Sequence, residues 1–130
     1  MTFYHGSSYK NIEILEPRDL TKRNGQTTPL LYVTPDHAFA CCFLFFWDDS
    51  WVRLDYIDGV HVMKISDKKR FYDCDKGGAV YVLPSSSDCK QIDDSGLEWA
   101  FDKPVKPMEI IQFDSAYKAM LDHGVKVIFT

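Results

Sequence analysis

At 130 residues, 45% hydrophobic and 15% aromatic, the chain suits one packed domain, and a single domain over residues 1–130 is expected. Fifteen Lys and Arg against nineteen Asp and Glu leave a net charge of −4, which gives no general attraction to a phosphate backbone, so there is no strong nucleic-acid signal. No charged-then-apolar signal peptide opens the chain, and the longest apolar run, Ala38 to Trp47, is about half the ~20 residues of a membrane span; a cytoplasmic chain without a membrane partner is the default expectation.

In chain order, Thr2-Phe3-Tyr4-His5 is a short β-type run halted by Gly6-Ser7-Ser8, so His5 is expected at a strand end. Ile12, Ile14 and Leu15 mark a short apolar segment. Glu16 to Pro29, including Asn24-Gly25, reads as a long polar loop of the kind that carries function. Leu30 to Val33 is a second strand. Thr34-Pro35-Asp36 is a helix start: Thr34 can cap, Pro35 suits the first turn and Asp36 complements the dipole. The helix is expected to run to about Trp47, and its apolar residues on nearly every face imply burial on both sides.

Trp51–Ile57 and Gly59–Ile65 alternate as strands and read as a hairpin around Asp58-Gly59. Lys68-Lys69-Arg70, flanked by Asp67 and Asp73, reads as a solvated turn. Ala79–Leu83 is a buried strand and Pro84–Ser95 a loop. Leu97–Phe101 and Val105–Phe113 are strands separated by Lys103-Pro104. Asp114 is expected to cap a last helix through Asp122, with Gly124 stopping it before a strand at Val125–Phe129. Strands outnumber helices without alternating with them, which predicts an α+β fold with a mainly antiparallel sheet. Cys41, Cys42, Cys74 and Cys89 match no zinc signature and read as reduced core thiols. No GxGxxG and no GxxxxGK[ST] is present, so a Rossmann or P-loop mode of nucleotide binding is excluded.

Phe3-Tyr4-His5-Gly6-Ser7, followed some two dozen residues later by Leu30-Leu31-Tyr32-Val33-Thr34-Pro35-Asp36 and then Ala38 and Ala40, resembles the ADP-ribosyltransferase superfamily. The likeness is to its His-Tyr-Glu branch, which includes diphtheria-type toxins, poly(ADP-ribose) polymerases and small bacterial enzymes, and it spans most of the chain. The resemblance implies a split antiparallel β-sheet core with a few short helices, and NAD as substrate with no metal required. On that pattern His5 holds the adenosine-side or the nicotinamide-side ribose through hydroxyl hydrogen bonds. Gly6, followed by Ser7, offers its backbone to the nicotinamide amide, because an absent Cβ permits close approach. Tyr32 lines the nicotinamide pocket, and Phe43, or alternatively Phe39, supplies the opposite face. The family more often has tyrosine there, so stacking is kept and a hydroxyl lost.

The third element is an acid near a later strand. Glu98 in Gly96-Leu97-Glu98-Trp99-Ala100-Phe101 is the best match and Asp94 the runner-up. Such a carboxylate can stabilise the oxocarbenium-like state formed as the nicotinamide–ribose bond breaks. Strand alternation turns Glu98 to the face of Ala100, opposite Leu97 and Trp99. The activity implied is a mono-ADP-ribosyltransferase acting on an unknown protein, nucleic acid or small-molecule acceptor. Alternatives are a non-catalytic nucleotide-binding or protein-interaction module of the same fold, and an RNA 2′-phosphotransferase, against which the acidic balance argues.

Overall fold

A computed structural model of the chain describes residues 1–18 and 28–130. It is an α+β protein with, among the described residues, nine strands, three short helices and mostly antiparallel pairing. Most of the expected loop from Glu16 to Pro29, including Asn24-Gly25, lies outside the described residues.

Strand β1 (Phe3–Ser7) is the organising element. Along one edge it pairs antiparallel with β5 (Gly78–Leu83), which in turn pairs antiparallel with β8 (Glu109–Phe113). Along the other edge it meets the end of β2 (Leu31–Val33) at a single bridge, where Tyr4 and Thr34 exchange main-chain hydrogen bonds of 2.8 and 2.9 Å. β2 continues a second sheet of order β2-β7-β6, with β7 at Trp99–Phe101 and β6 at Cys89–Gln91. The sheets of β1 and β2 are therefore joined through one main-chain bridge and are otherwise separate. By strand alternation Gly6, two residues beyond Tyr4, turns its N–H and C=O to this opened edge.

The third sheet is the expected hairpin, β3 (Val52–Ile57) with β4 (Val60–Ile65), extended by β9 (Lys126–Phe129). Its turn has Asp58 at φ 51° and Gly59 at φ 79°, the left-handed pair that two-residue hairpins require. β9 lies parallel to β4, an exception to the antiparallel rule.

β5 is buried along its whole length because it divides two cores. Val80 joins one, with Leu44, Phe45, Met63, Ile65, Phe71 and Met120 between the hairpin sheet and the helices. Ala79, Tyr81 and Leu83 face the other, with Phe3, Leu31, Val33 and Phe101. The Tyr81 hydroxyl donates to Tyr9 O at 2.6 Å and accepts from Ile12 N at 3.0 Å, which ties residues 9–12 to the sheet.

Several local expectations need correction. Helix α1 spans only His37–Cys41, not the run to Trp47. Its N-cap is Asp36, whose Oδ1 accepts from Phe39 N at 3.2 Å, while Thr34 Oγ1 takes the Asp36 N–H in the preceding turn. The indole of Trp47 donates to Cys42 O at 2.8 Å, a carbonyl that a longer helix would have used internally. The turns after Cys42 then send Leu44 and Phe45 into the core and leave Phe43 and Phe46 exposed. Lys68–Cys74 is a helix, α2, not a turn: Asp67 caps it at Arg70 N, Lys69 and Asp73 pair at 2.7 Å one turn apart, and Phe71 anchors it fully buried. The expected loop from Pro84 to Ser95 contains β6, and the strand expected from Val105 begins only at Glu109, Val105 instead forming an isolated bridge with Leu15. Helix α3 (Ala116–Asp122) is capped by Ser115, not Asp114, and Asp75 adds bonds from Ala116 N at 2.7 Å and Tyr117 N at 3.1 Å. Gly124, at φ 85°, ends that helix.

All four cysteines are free, three of them buried and Cys74 partly so. Among the described residues no helix is long and apolar enough to cross a membrane.

Candidate functional site

Residues of β1 and β2 line a cavity of about 1230 Å³, large enough for a dinucleotide-sized ligand. His5, Gly6, Tyr32, Phe39, Phe43 and Glu98 all line it. Ser7 and Asp94 do not: the Ser7 hydroxyl accepts from Tyr9 N at 3.1 Å in the turn after β1, and Asp94 is exposed.

His5 is fixed by geometry and by burial. Its Nδ1 lies 2.7 Å from Tyr32 O across the split. A carbonyl can only accept, so Nδ1 carries the proton and donates, which leaves Nε2 with a lone pair. Desolvation lowers the imidazole pKa below its ordinary value of 6.5, outweighing the opposing pull of the carbonyl. At neutral pH this side chain is therefore an uncharged acceptor on the cavity wall, suited to a ligand hydroxyl.

Gly6 has a structural reason beyond ligand approach. A Cβ built there would stand 1.9 Å from Ala40 O and 2.9 Å from Ala40 C. The absent side chain lets α1 lie against β1, and this contact sets the depth of the cavity on that side.

One wall is a run of aromatic rings. Phe39 and Phe43 meet edge to face at 5.1 Å, Phe43 stacks on Trp47 at 5.7 Å, and Phe39 stacks on His61 at 5.1 Å. Tyr56 continues it, 4.5 Å from His61. Phe43 is 37% exposed and faces the cavity, so it offers a flat surface still open to a ligand ring.

Within that wall His61 forms a pair the sequence did not suggest. His61, 3% exposed, places Nε2 2.8 Å from Asp36 Oδ2, and its Nδ1 is buried with no hydrogen-bond partner. Asp36 thus serves twice, capping α1 through Oδ1 and orienting His61 through Oδ2. No motif could have signalled this, since Asp36 at the start of α1 and His61 on β4 are 25 residues apart.

On the opposite side Glu98 precedes β7 instead of lying within it. Its carbonyl accepts from Ile92 N at 2.9 Å and its N–H donates to Asp93 Oδ1 at 3.1 Å, which closes a turn over residues 92–98. Strand alternation does not yet hold there, so Leu97 and Glu98 both border the cavity, contrary to the expected opposition; Asp93 borders it as well. Of the long loop, Glu16 and Arg18 contribute to the lining, and Leu30 follows from the start of the next strand segment.

No protein-family profile, curated protein or solved structure matches this chain.

Proposed function

We propose that the cavity binds NAD in an ADP-ribosyltransferase-like fold and that the chain is an NAD-dependent mono-ADP-ribosyltransferase, moving ADP-ribose to an acceptor and releasing nicotinamide. The observation that carries this reading is the meeting of His5, Tyr32 and Glu98, far apart in sequence, around one cavity beside β1 and β2. Each group has a matching task. The His5 Nε2 lone pair accepts a ribose hydroxyl. The opened edge of Gly6 offers an N–H and a C=O, the complement of a carboxamide. Tyr32 and Phe43 enclose the nicotinamide ring, stacking being worth ~1 kcal/mol beyond area burial and keeping water from the glycosidic bond.

In the reaction the C1′–N bond breaks, its electron pair leaves with the pyridinium nitrogen as neutral nicotinamide, and the ribose becomes oxocarbenium-like. The Glu98 carboxylate stabilises that charge and orients a ribose hydroxyl. An acceptor nucleophile then bonds to C1′ and loses its proton; with water as acceptor the result is slow hydrolysis. The acceptor side would be bordered by Glu16, Arg18 and the turn over residues 92–98.

A second reading, a nucleotide-binding module without turnover, is favoured by the absence of a hydroxyl on Phe39 and Phe43. Calorimetric titration with NAD and chromatographic measurement of released nicotinamide decide between them. The transferase reading expects saturable binding and slow release in the wild type, with Glu98→Gln keeping binding within a few-fold and losing release. Binding without release in the wild type would select the module; equal release by Glu98→Gln would remove Glu98 from the mechanism.

A further inference from the structure

Away from the cavity, α1 and α3 bring together a side-chain group the proposed reaction does not use. His37 and Cys41 are four residues apart on one face of α1, and His123 is the C-cap of α3. One donor atom from each lies within 4.8 Å of the others, the one such group among the described residues. None of the three lines the large cavity.

The hydrogen bonding leaves these side chains available as ligands. His37 Nε2 is buried and has no hydrogen-bond partner, a state that polar side-chain atoms rarely keep without a reason. His123 donates its Nδ1 proton to Ala119 O at 2.8 Å, so its Nε2 is left with the lone pair. A backbone carbonyl fixing the far nitrogen is the usual support of a metal-bound imidazole. Cys41 is fully buried, with its sulfur among these rings. The Tyr4 ring stacks on His37 at 4.6 Å and 9°, holding that imidazole in plane.

We propose that His37, Cys41 and His123 form a binding site for a borderline-soft divalent transition-metal ion of the zinc class. Two imidazoles and a thiolate are a donor set that zinc accepts, and three protein ligands leave a fourth position of the tetrahedron to solvent. Bonds of about 2.1 Å to nitrogen and 2.3 Å to sulfur set ligand–ligand separations near 3.5 Å, so the widest gap has to close by roughly 1 Å. A small shift of the partly exposed His123 side chain that keeps its bond to Ala119 O would contribute to that closure. The ion would displace the thiol proton to solvent and tie α1, which carries Phe39 and leads into Phe43, to α3.

The test uses the whole chain stripped of metal and titrated with Zn²⁺ against a chromophoric chelator, and separately with Co²⁺ followed by electronic absorption. The expected result is one equivalent of Zn²⁺ bound, a higher melting temperature with Zn²⁺, and a Co²⁺ adduct with tetrahedral d–d bands and a thiolate-to-cobalt charge-transfer band. Cys41→Ser should remove the charge-transfer band and Cys42→Ser should leave it. His123→Gln, at a partly exposed position, should weaken Zn²⁺ by roughly ten-fold or more and keeps the test decisive if Cys41→Ser fails to fold. Absence of stoichiometric binding, or Zn²⁺ bound equally by wild type and His123→Gln, would overturn the proposal.

Discussion

The contact of β1 with α1 fixes one side of the cavity, and Gly6→Ala perturbs it directly. The new methyl would meet the Ala40 carbonyl oxygen at 1.9 Å; to reach even a tight 3.0 Å contact that oxygen must retreat by about 1.1 Å. Both clashing atoms are backbone, so no rotamer change relieves them. β1 is held by β5 along its length and by Thr34 at Tyr4, whereas α1 has five residues, so α1 yields. Overpacking of this kind costs about 1–3 kcal/mol, and with no soft neighbour the upper end applies, ~3 kcal/mol. At about 2.1 cal/mol/K per residue near 60 °C, a chain of 130 residues loses roughly 11 °C in Tm for that cost. Gly59→Ala is the control. It has open space within 4 Å but φ +79°, so it carries only left-handed backbone strain of ~1 kcal/mol and a fall of roughly 4 °C. Thermal melts by circular dichroism measure both. If Gly6→Ala melts no lower than Gly59→Ala, the β1–α1 approach does not constrain the fold as argued.

Two further outcomes follow from particular groups. Asp75→Ala removes the acceptors of the Ala116 and Tyr117 N–H groups at the start of α3 and should cost ~2 kcal/mol, roughly 7 °C in Tm, in the same assay; a loss below roughly 2 °C would show that Ser115 alone caps the helix. His5 has a folded pKa lowered by burial, while the unfolded chain titrates near 6.5, so on acidification the unfolded state takes up the proton first. Its contribution to stability is full above about pH 6.5 and is lost as pH falls from there to the folded pKa. Urea midpoints across that window should decline less steeply in His5→Gln than in the wild type; His37, also lowered by burial and by His123, adds the same sign and remains in both. Parallel profiles would mean that His5 is not held neutral by the fold.

What could be read from the chain was local. The Asp58-Gly59 turn was legible because two adjacent residues needed φ above zero, and the β1, β2 and β5 runs because buried strands are apolar and end at glycine, proline or polar turns. His5, Gly6 and Tyr32 sit within those short runs, but that they line one cavity was suggested only by the family resemblance. The end of α1 was not, since the Trp47 indole that takes the Cys42 carbonyl acts from outside any helical repeat. α2 was missed because its single buried anchor, Phe71, stands among charges that read equally well as a turn. The direction of Glu98 was not legible, because the bonds closing residues 92–98 override alternation. The Asp36–His61 pair and the grouping of His37, Cys41 and His123 depend on tertiary approach, and nothing in the spacing announces either.

The most direct measurement is a crystal structure of the chain grown or soaked with saturating NAD. The account predicts the nicotinamide ring between Tyr32 and Phe43, its carboxamide on the main chain of Gly6, a ribose hydroxyl about 2.7–3.0 Å from His5 Nε2, and the Glu98 carboxylate facing that ribose. Dinucleotide density elsewhere on the molecule, or an empty cavity under those conditions, would contradict it.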